Sequence, residues 1–120
     1  ISISYKGITS QGELAGTMTK SLTIENVPDE FVLYANYPNP FNPITHIDYG
    51  LPEASNVQLI IYDILGREVT TLVNGVQEPG YKSITWHGTN AFGKNVGAGM
   101  YFYLIQAGDF RQVKKMILLK

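Results

Sequence analysis

Hydrophobic and polar residues alternate in short runs along the chain after residue 45, which is the pattern of half-buried β-strands. Residues 47–51 alternate in this way until Pro52 ends the run. Residues 57–62 and 99–106 are apolar on both faces, so we expect these two strands to lie in the middle of a sheet. The remaining strands of this region are predicted at residues 68–73, 81–86 and 110–119.

Turn-forming residues separate these runs. Reversals are predicted at residues 63–67, at Asn74-Gly75, at residues 77–80, across the glycine-rich loop 87–98, and at Gly108-Asp109. Short strands at this regular spacing, without helical periodicity, predict an all-β fold: an immunoglobulin-like antiparallel β-sandwich of about seven strands from about residue 31 to residue 120. The single tryptophan, Trp86, is expected to fill its core.

Three prolines lie within the segment Asn36-Tyr37-Pro38-Asn39-Pro40-Phe41-Asn42-Pro43, which we call the proline strip. Proline fixes its own φ angle and pushes the residue before it toward extended geometry. We therefore expect a stiff, extended segment that cannot form a helix. Tyr37 and Phe41 are expected to anchor this segment on the β core.

The first thirty residues are interpreted separately from the predicted sandwich. Strands are predicted at residues 1–5 and 21–27, with a glycine-containing connection between them. We interpret residues 1–30 as the end of an upstream β domain and a linker, although they would also fit edge strands added to the sandwich. The chain begins with Ile1 and shows no signal-peptide pattern, so we expect it to be the tail of a longer protein.

Composition narrows the class of protein. Hydrophobic residues make up 44% and charged residues 16%, a balance typical of a globular β-rich domain. No apolar run approaches the ~20 residues of a membrane-spanning helix, so no membrane insertion is expected. A net charge of −1 argues against nucleic-acid binding, which needs clustered lysine and arginine in excess. The chain has no cysteine, which excludes disulfides and thiolate metal sites but leaves the cellular compartment open.

No catalytic, cofactor or metal site is predicted. The two histidines, His46 and His87, show no spacing that joins them to a nucleophile or carboxylate. The carboxylates lie at predicted turns and strand faces, where solvated acids are ordinary. The glycine-rich loop offers Asn90 and Asn95 but no carboxylate for calcium. We therefore expect a protein that is not an enzyme.

Five motifs follow one another to the end of the chain: the proline strip, residues 49–53 (Tyr-Gly-Leu-Pro-Glu), 61–69 (Ile-Tyr-Asp-Ile-Leu-Gly-Arg-Glu-Val), 99–103 (Gly-Met-Tyr-Phe-Tyr) and 114–120 (Lys-Lys-Met-Ile-Leu-Leu-Lys). On these motifs the region from Phe31 resembles the type A C-terminal sorting domain of proteins exported by the type IX (Por) secretion system. Its middle section also resembles the immunoglobulin-like domain of the flagellar hook-capping protein. One motif departs from the family, since Trp86-His87-Gly88 stands where the family has Trp-Asp-Gly.

The resemblance implies a secretion signal domain that is covalently linked to an upstream cargo. It implies passage through the periplasm, contact with the outer-membrane type IX machinery, cleavage by a sortase-type surface protease, and a final place at the cell surface or outside the cell. By match to the family motifs, the sorting-signal candidates are Pro38, Asn39, Pro40, Tyr62, Asp63, Gly66, Gly99, Tyr101, Lys114 and Lys115.

Several candidates also have a structural interpretation. Gly66 and Gly99 fit positions where the backbone requires glycine, and Tyr62 and Tyr101 fit the sandwich core. Adjacent strand residues point to opposite faces, so at least one of the two lysines, 114 or 115, must be exposed. The alternative function is a carbohydrate-binding or adhesive β-sandwich module of a secreted enzyme, because eight tyrosines and a tryptophan could form a platform for sugars.

Overall fold

The computed structural model describes residues 27–119. Within that range the chain forms seven strands and no helix, arranged as two antiparallel sheets, which confirms the predicted immunoglobulin-like β-sandwich. The strands are β1 (Val32–Leu33), β2 (Thr45–Leu51), β3 (Ser55–Tyr62), β4 (Glu68–Gln77), β5 (Gly80–Trp86), β6 (Gly99–Ala107) and β7 (Phe110–Leu118). The three-stranded sheet has the order β1-β2-β5, and the four-stranded sheet has the order β4-β3-β6-β7. None of the described residues belongs to a helix that could cross a membrane.

The two strands with apolar residues on both faces occupy the positions expected for them. β3 and β6 pair with each other in the middle of the four-stranded sheet, and β6 also pairs with β7 through the hairpin at Gly108-Asp109. Both predictions are confirmed. A central strand is covered by neighbours along both edges, so its outward residues are also partly shielded from water.

The prediction that Asn74-Gly75 ends a strand is wrong. β4 continues through both residues to Gln77, because Gly75 pairs with Val57 in the ladder between β3 and β4. The chain reverses instead at Glu78-Pro79 and enters the other sheet, where β5 pairs with β2. An Asn-Gly pair favours a tight hairpin only where the strands on either side of it pair with each other.

The core lies between the sheets and is filled by alternate, inward-facing residues along the strands of both sheets. Trp86, at the end of β5, is 1% exposed, as its predicted role in the core requires. Its ring lies between those of Phe41 and Tyr101, at centroid distances of 5.7 and 5.4 Å. Such tilted and edge-on aromatic pairs contribute about 0.5–1.5 kcal/mol beyond simple burial.

The proline strip crosses from one sheet to the other at one end of the sandwich. The Tyr37 N–H donates to the His46 carbonyl of β2 at 2.9 Å, and the His46 N–H donates back at 2.8 Å. Four residues later the Phe41 N–H donates to the Ile117 carbonyl at 2.9 Å, and the Leu119 N–H donates to the Phe41 carbonyl at 2.8 Å. The strip is bent rather than extended as expected, because it must pair with strands of both sheets.

Only one of the two aromatic residues of the strip is an anchor in the core. Phe41 is 1% exposed, whereas Tyr37 is 77% exposed. The expectation for Tyr37 is wrong because its backbone pairs with His46, whose side chain lies on the outer face of the sheet. Directly opposed residues in a ladder point to the same face, so Tyr37 also points outward.

A buried polar network fixes the start of the strip. The Asn36 N–H donates to the Tyr103 hydroxyl at 2.8 Å, and that hydroxyl donates to the Tyr34 carbonyl at 2.9 Å. The Asn36 amide donates to Thr45 Oγ1 at 3.0 Å, and Thr45 Oγ1 donates to the Pro38 carbonyl at 2.8 Å. Burial raises the pKa of the Tyr103 hydroxyl, so it remains a neutral donor.

The described chain joins the sandwich before β1. Pro28 is buried, and its ring lies so close to Gly50 that a Cβ atom added at Gly50 would be 2.8 Å from Pro28 Cγ. The predicted strand at residues 1–5 and nearly all of the one at 21–27 lie outside the described residues. The division near residue 30 therefore stays a prediction.

Replacing Phe41 with alanine is expected to destabilise the domain by about 3–5 kcal/mol, because it removes a fully buried ring that packs on Trp86. Urea unfolding followed by tryptophan fluorescence measures this change. The matched control is Phe92→Ala, since Phe92 is 87% exposed and its replacement is expected to change stability by less than about 0.5 kcal/mol. Equal effects of the two substitutions would contradict the anchor role of Phe41.

Candidate functional site

The sequence-predicted sorting residues lie toward one end of the sandwich although they are far apart in the sequence, with Lys114, the middle residue of β7, at the margin. We call this region the motif end, and it comprises residues 38–41, 62–67, 99–101 and 114–118. Strand pairing brings these segments together: Tyr62 opposes Phe102, Gly99 opposes Leu118, and Phe41 bridges to Leu118. The proline strip, the β3–β4 turn, the start of β6 and the end of β7 are therefore neighbours.

Asp63 organises the turn between β3 and β4. One of its carboxylate oxygens accepts the Leu65 and Arg67 N–H groups at 2.9 and 3.0 Å, and the other accepts the Arg67 Nε–H at 2.9 Å. The Arg67 N–H, together with the Arg67 side chain and the Leu65 N–H, holds the pKa of Asp63 below its usual range. Gly66 has a φ of 81°, which the turn requires and other residues rarely adopt.

The start of β6 lies beside this turn. Tyr101 is buried against Trp86, and its hydroxyl donates to the Gly97 carbonyl at 2.6 Å. Burial raises the pKa of the Tyr101 hydroxyl, and the negative charge of Asp63 raises it further. Gly99 has a φ of 142°, so a side chain here would strain the backbone even though the space around it is open. A groove of about 320 Å³ separates this segment from the turn.

The proline strip and the end of β7 complete the motif end. Asn39 Oδ1 accepts the Ile117 N–H at 3.0 Å, beside the backbone bonds of Phe41. Gly88 lies behind this contact with a φ of 71°, and a Cβ atom added to it would lie 3.2 Å from the Pro43 carbonyl oxygen. The strip therefore contributes polar side-chain and backbone contacts to β7, and the neighbouring loop fits only with glycine at position 88.

The two lysines face opposite sides of β7. Lys115 opposes Phe102 and is exposed on the outer face, and Lys114 opposes Tyr103 on the inward side and is half-buried. This agrees with the expectation that at least one is exposed. Tyr101 lies in the core as its structural interpretation requires, but Tyr62 does not: it faces outward from β3 and is half-buried.

A second groove, which begins at the motif end and has both apolar and charged lining residues, was not predicted from the sequence. It has a volume of about 400 Å³ and runs along the outer face of the four-stranded sheet, where it is lined by Tyr62, Asp63, Ile64, Gly66, Phe102, Leu104, Arg111 and Val113. Ile64 and Leu65, at the tip of the turn, are 67% and 71% exposed. Two consecutive large aliphatic residues inside a predicted turn are the signal that could have indicated an exposed apolar contact.

The glycine-rich loop is held by Asn90 rather than by residue 87. Asn90 Oδ1 accepts the Phe92 and Lys94 N–H groups at 2.9 and 3.1 Å, while His87 is exposed. The loop therefore still has a side-chain cap, although His87 replaces the aspartate of the family motif. The loop keeps its shape through an asparagine three residues later.

The chemistry available at the motif end is hydrogen bonding, charge contact and apolar packing. Across residues 27–119 no group of three or more histidine, cysteine, aspartate or glutamate side chains is placed to hold a metal ion. His46 Nδ1 forms a hydrogen bond of 3.0 Å with Thr85 Oγ1 on the exposed face of the other sheet.

Comparison with known proteins places this fold in a family. The model of the FlgD Ig-like domain matches residues 45–109, which is more than half of the chain. The chain belongs to the FlgD Ig-like domain family. The matched region runs from β2 to the β6–β7 hairpin, so the β7 partner of the proline strip and the strip itself lie outside it. No curated protein matches the chain.

Two solved structures share the FlgD Ig-like fold of this chain. One is PorZ of Porphyromonas gingivalis, described as an essential bacterial surface component of the type-IX secretion system, with a TM-score of 0.52 and 19% identity over 73% of this chain and 11% of PorZ. The other is dimeric latent PorU of the same organism, with a TM-score of 0.56 and 22% identity over 84% of this chain and 10% of PorU. At these identities the comparison shows a common fold, and the chain spans about a tenth of either protein.

The lowered pKa of Asp63, in the turn between β3 and β4, is expected to make the domain less stable at acidic pH. A carboxyl group whose pKa is lowered on folding stabilises the folded state above its unfolded pKa of about 3.9, and this contribution is lost as the pH falls through the lower folded value. We expect wild type to melt at a higher temperature than Asp63→Asn at pH 6–8, and the two to converge below about pH 4. A difference in melting temperature that stays constant from pH 7 to about pH 2 would contradict this.

Proposed function

We propose that residues 31–120 are a type A C-terminal sorting domain, which directs an upstream cargo across the outer membrane through the type IX secretion system. The five motifs in their order support this assignment, and so does the fold shared with part of PorZ, a component of that system. The domain acts by being recognised, and we propose that it has no catalytic activity of its own.

The observation that carries the proposal is the convergence of four of the five motifs at one end of the fold, whereas the motif at residues 49–53 lies at the β2–β3 connection at the other end. Motif residues scattered through a sandwich would be explained by packing alone, since each strand needs its own apolar and turn residues. Here the strip, the Asp63 turn, the start of β6 and the end of β7 form one continuous surface. A surface composed of four separate segments exists only when the chain has folded as far as its last strand.

The candidate residues divide into those that shape this surface and those that can contact a partner. Gly66, Gly99 and Tyr101 shape it, because their roles are backbone conformation and burial. Tyr62 and Lys114 are half-buried at its margin. The exposed residues Pro38, Asn39, Pro40 and Lys115, with the partly exposed Asp63, are the candidates for direct contact.

The proposed partners follow from the resemblance. The domain passes through the periplasm with its covalently linked cargo, contacts the outer-membrane machinery, and is then cleaved from the cargo by a surface protease of the sortase type. The cargo ends at the cell surface or outside the cell.

The direct test joins residues 27–120 to the C-terminus of a periplasmic reporter in a cell that has the type IX machinery. The intact domain is expected to export the reporter, and Lys115→Ala is expected to reduce export while changing unfolding free energy by less than about 0.5 kcal/mol, because Lys115 is exposed. Reporter activity outside the cell and urea unfolding of the purified domain measure the two effects.

The control is Lys94→Ala, which removes an equally exposed lysine from the glycine-rich loop, outside the motif end. It is expected to leave export unchanged. Removing residues 114–120 should abolish export and folding together, because it deletes the last five of the nine residues of β7. Retention of the intact fusion in the periplasm would overturn the proposed function, whereas normal export of Lys115→Ala would remove only the contact role of that lysine.

A further inference from the structure

The outer face of the three-stranded sheet carries a group of exposed tyrosines that the sorting role does not use. Tyr34 is 43% exposed, Tyr81 is 56% exposed and Tyr37 is 77% exposed. They come from both sides of β2, the middle strand of this sheet. Large aromatic side chains on a monomer surface usually occur singly, so a group of three on one sheet face indicates a binding surface.

The strand register arranges these tyrosines around polar residues. Tyr34 continues the pairing of β1, with its N–H donating to the Asp48 carbonyl at 3.0 Å, and Asp48 opposes Ser83 of β5. The row Tyr34–Asp48–Ser83 therefore crosses the outer face. Tyr81 lies on β5 two residues from Ser83, on the same face.

On the other side of that row, Tyr37 pairs with His46, and His46 Nδ1 forms its hydrogen bond with Thr85. The outer face thus presents an aromatic ring on each of three sides, with a carboxylate, an imidazole and hydroxyl groups between them. We call this surface the tyrosine platform.

The platform includes a formed groove. Tyr34, Asp48, Tyr81 and Ser83 line an open depression of about 390 Å³, which also reaches Tyr49 and Lys82. Tyr34 and Tyr81 flank the middle strand on opposite sides and are staggered by two residues along it, so roughly 12 Å separates their backbones. The groove is therefore wide enough to hold a ring over Asp48 between the two tyrosines.

The backbone beneath the platform is rigid. The Tyr34 carbonyl accepts the hydroxyl of buried Tyr103 at 2.9 Å, and its N–H is bonded to β2, so both of its backbone polar groups are held. Tyr81 lies within the ladder between β5 and β2, opposite Gly50. Aromatic rings on a fixed backbone lose little conformational entropy when a ligand binds.

The chemistry of the groove selects its ligand class. Tyrosine rings offer apolar faces that pack against the C–H face of a sugar ring. The Asp48 carboxylate accepts hydrogen bonds from sugar hydroxyls, and the Ser83 hydroxyl can donate or accept them. Asp48 is the charged side chain that faces the groove, because Lys82 alternates with Tyr81 and Ser83 along β5 and its side chain points to the opposite face. The groove therefore presents no positive charge that would favour a polyanion. An apolar peptide would leave these polar groups unpaired on binding.

From these observations we infer that the tyrosine platform is a binding site for an uncharged polysaccharide. Tyr34 and Tyr81 stack on the faces of successive sugar rings, and Asp48 and Ser83 hydrogen-bond to the sugar hydroxyls between them. The site lies on the three-stranded sheet, whereas the motif end is built mainly on the four-stranded sheet and the proline strip. The two surfaces adjoin at Tyr37, which precedes Pro38 in the strip, but Tyr34, Asp48, Tyr81 and Ser83 all lie outside the motif end. The inference rests on these four residues and does not depend on the sorting function.

Isothermal titration calorimetry of the 120-residue chain tests the inference. The probes are neutral hexasaccharides with cellulose, laminarin, mannan and xylan backbones, and the charged comparison is oligogalacturonate. Saturable binding to at least one neutral probe is expected. Tyr34→Ala and Tyr81→Ala, which lie on different strands, are each expected to weaken that binding roughly tenfold or more while leaving the melting temperature nearly unchanged.

The matched control is Phe92→Ala, which removes an exposed aromatic ring that does not line the groove. It is expected to bind the sugar as wild type does, and Asp48→Asn is expected to bind more weakly because it loses a charged acceptor. The inference is overturned if no neutral probe binds, if oligogalacturonate binds more tightly than all of them, or if the two tyrosine variants retain wild-type affinity.

Discussion

The structure depends on one contact, in which the proline strip forms hydrogen bonds with the exposed edge of β7 at the end of that strand. β7 is the outer strand of the four-stranded sheet, so one row of its backbone groups has no partner strand among the described residues. Phe41 and Asn39 satisfy that row at Ile117 and Leu119 with three hydrogen bonds. The Phe41 ring is buried at the same point against Trp86, so backbone pairing and core packing stabilise the same contact. An unprotected strand end would otherwise fray or pair with another chain.

This contact also explains why four of the five motifs lie close together in the fold. The strip begins on β2 of one sheet and reaches β7 of the other, and β7 places Leu118 beside Gly99, next to the Asp63 turn. Segments that are early and late in the sequence of the domain thus form one surface. This surface is complete only after the last strand has folded. Under the proposed sorting function, a secretion machine that reads this surface would select cargo whose sorting domain is completely folded. The groove of the tyrosine platform lies on the other sheet, and none of the residues that line it belongs to this surface.

The sequence was sufficient for the parts of the fold that follow from local pattern. Apolar residues on both faces identified β3 and β6 as central, and Gly108-Asp109 identified the last hairpin. It was insufficient wherever the outcome depends on which strands pair. Asn74-Gly75 has turn chemistry but lies within β4, and Tyr37 points outward because its partner is His46. The convergence of the motifs and the tyrosine platform likewise depend on pairing between distant segments, which alternation along one strand does not encode.

Amide hydrogen exchange along β7 tests the strip contact most directly, and the strand supplies its own control. The N–H groups of residues 113, 115, 117 and 119 point to the same side of β7, away from β6, because N–H directions alternate along a strand. Only those of Ile117 and Leu119 have acceptors in the strip, at 3.0 and 2.8 Å. We predict that Ile117 and Leu119 exchange as slowly as the core amides of β6, while Val113 and Lys115 exchange quickly. Equally fast exchange at all four positions would contradict the account.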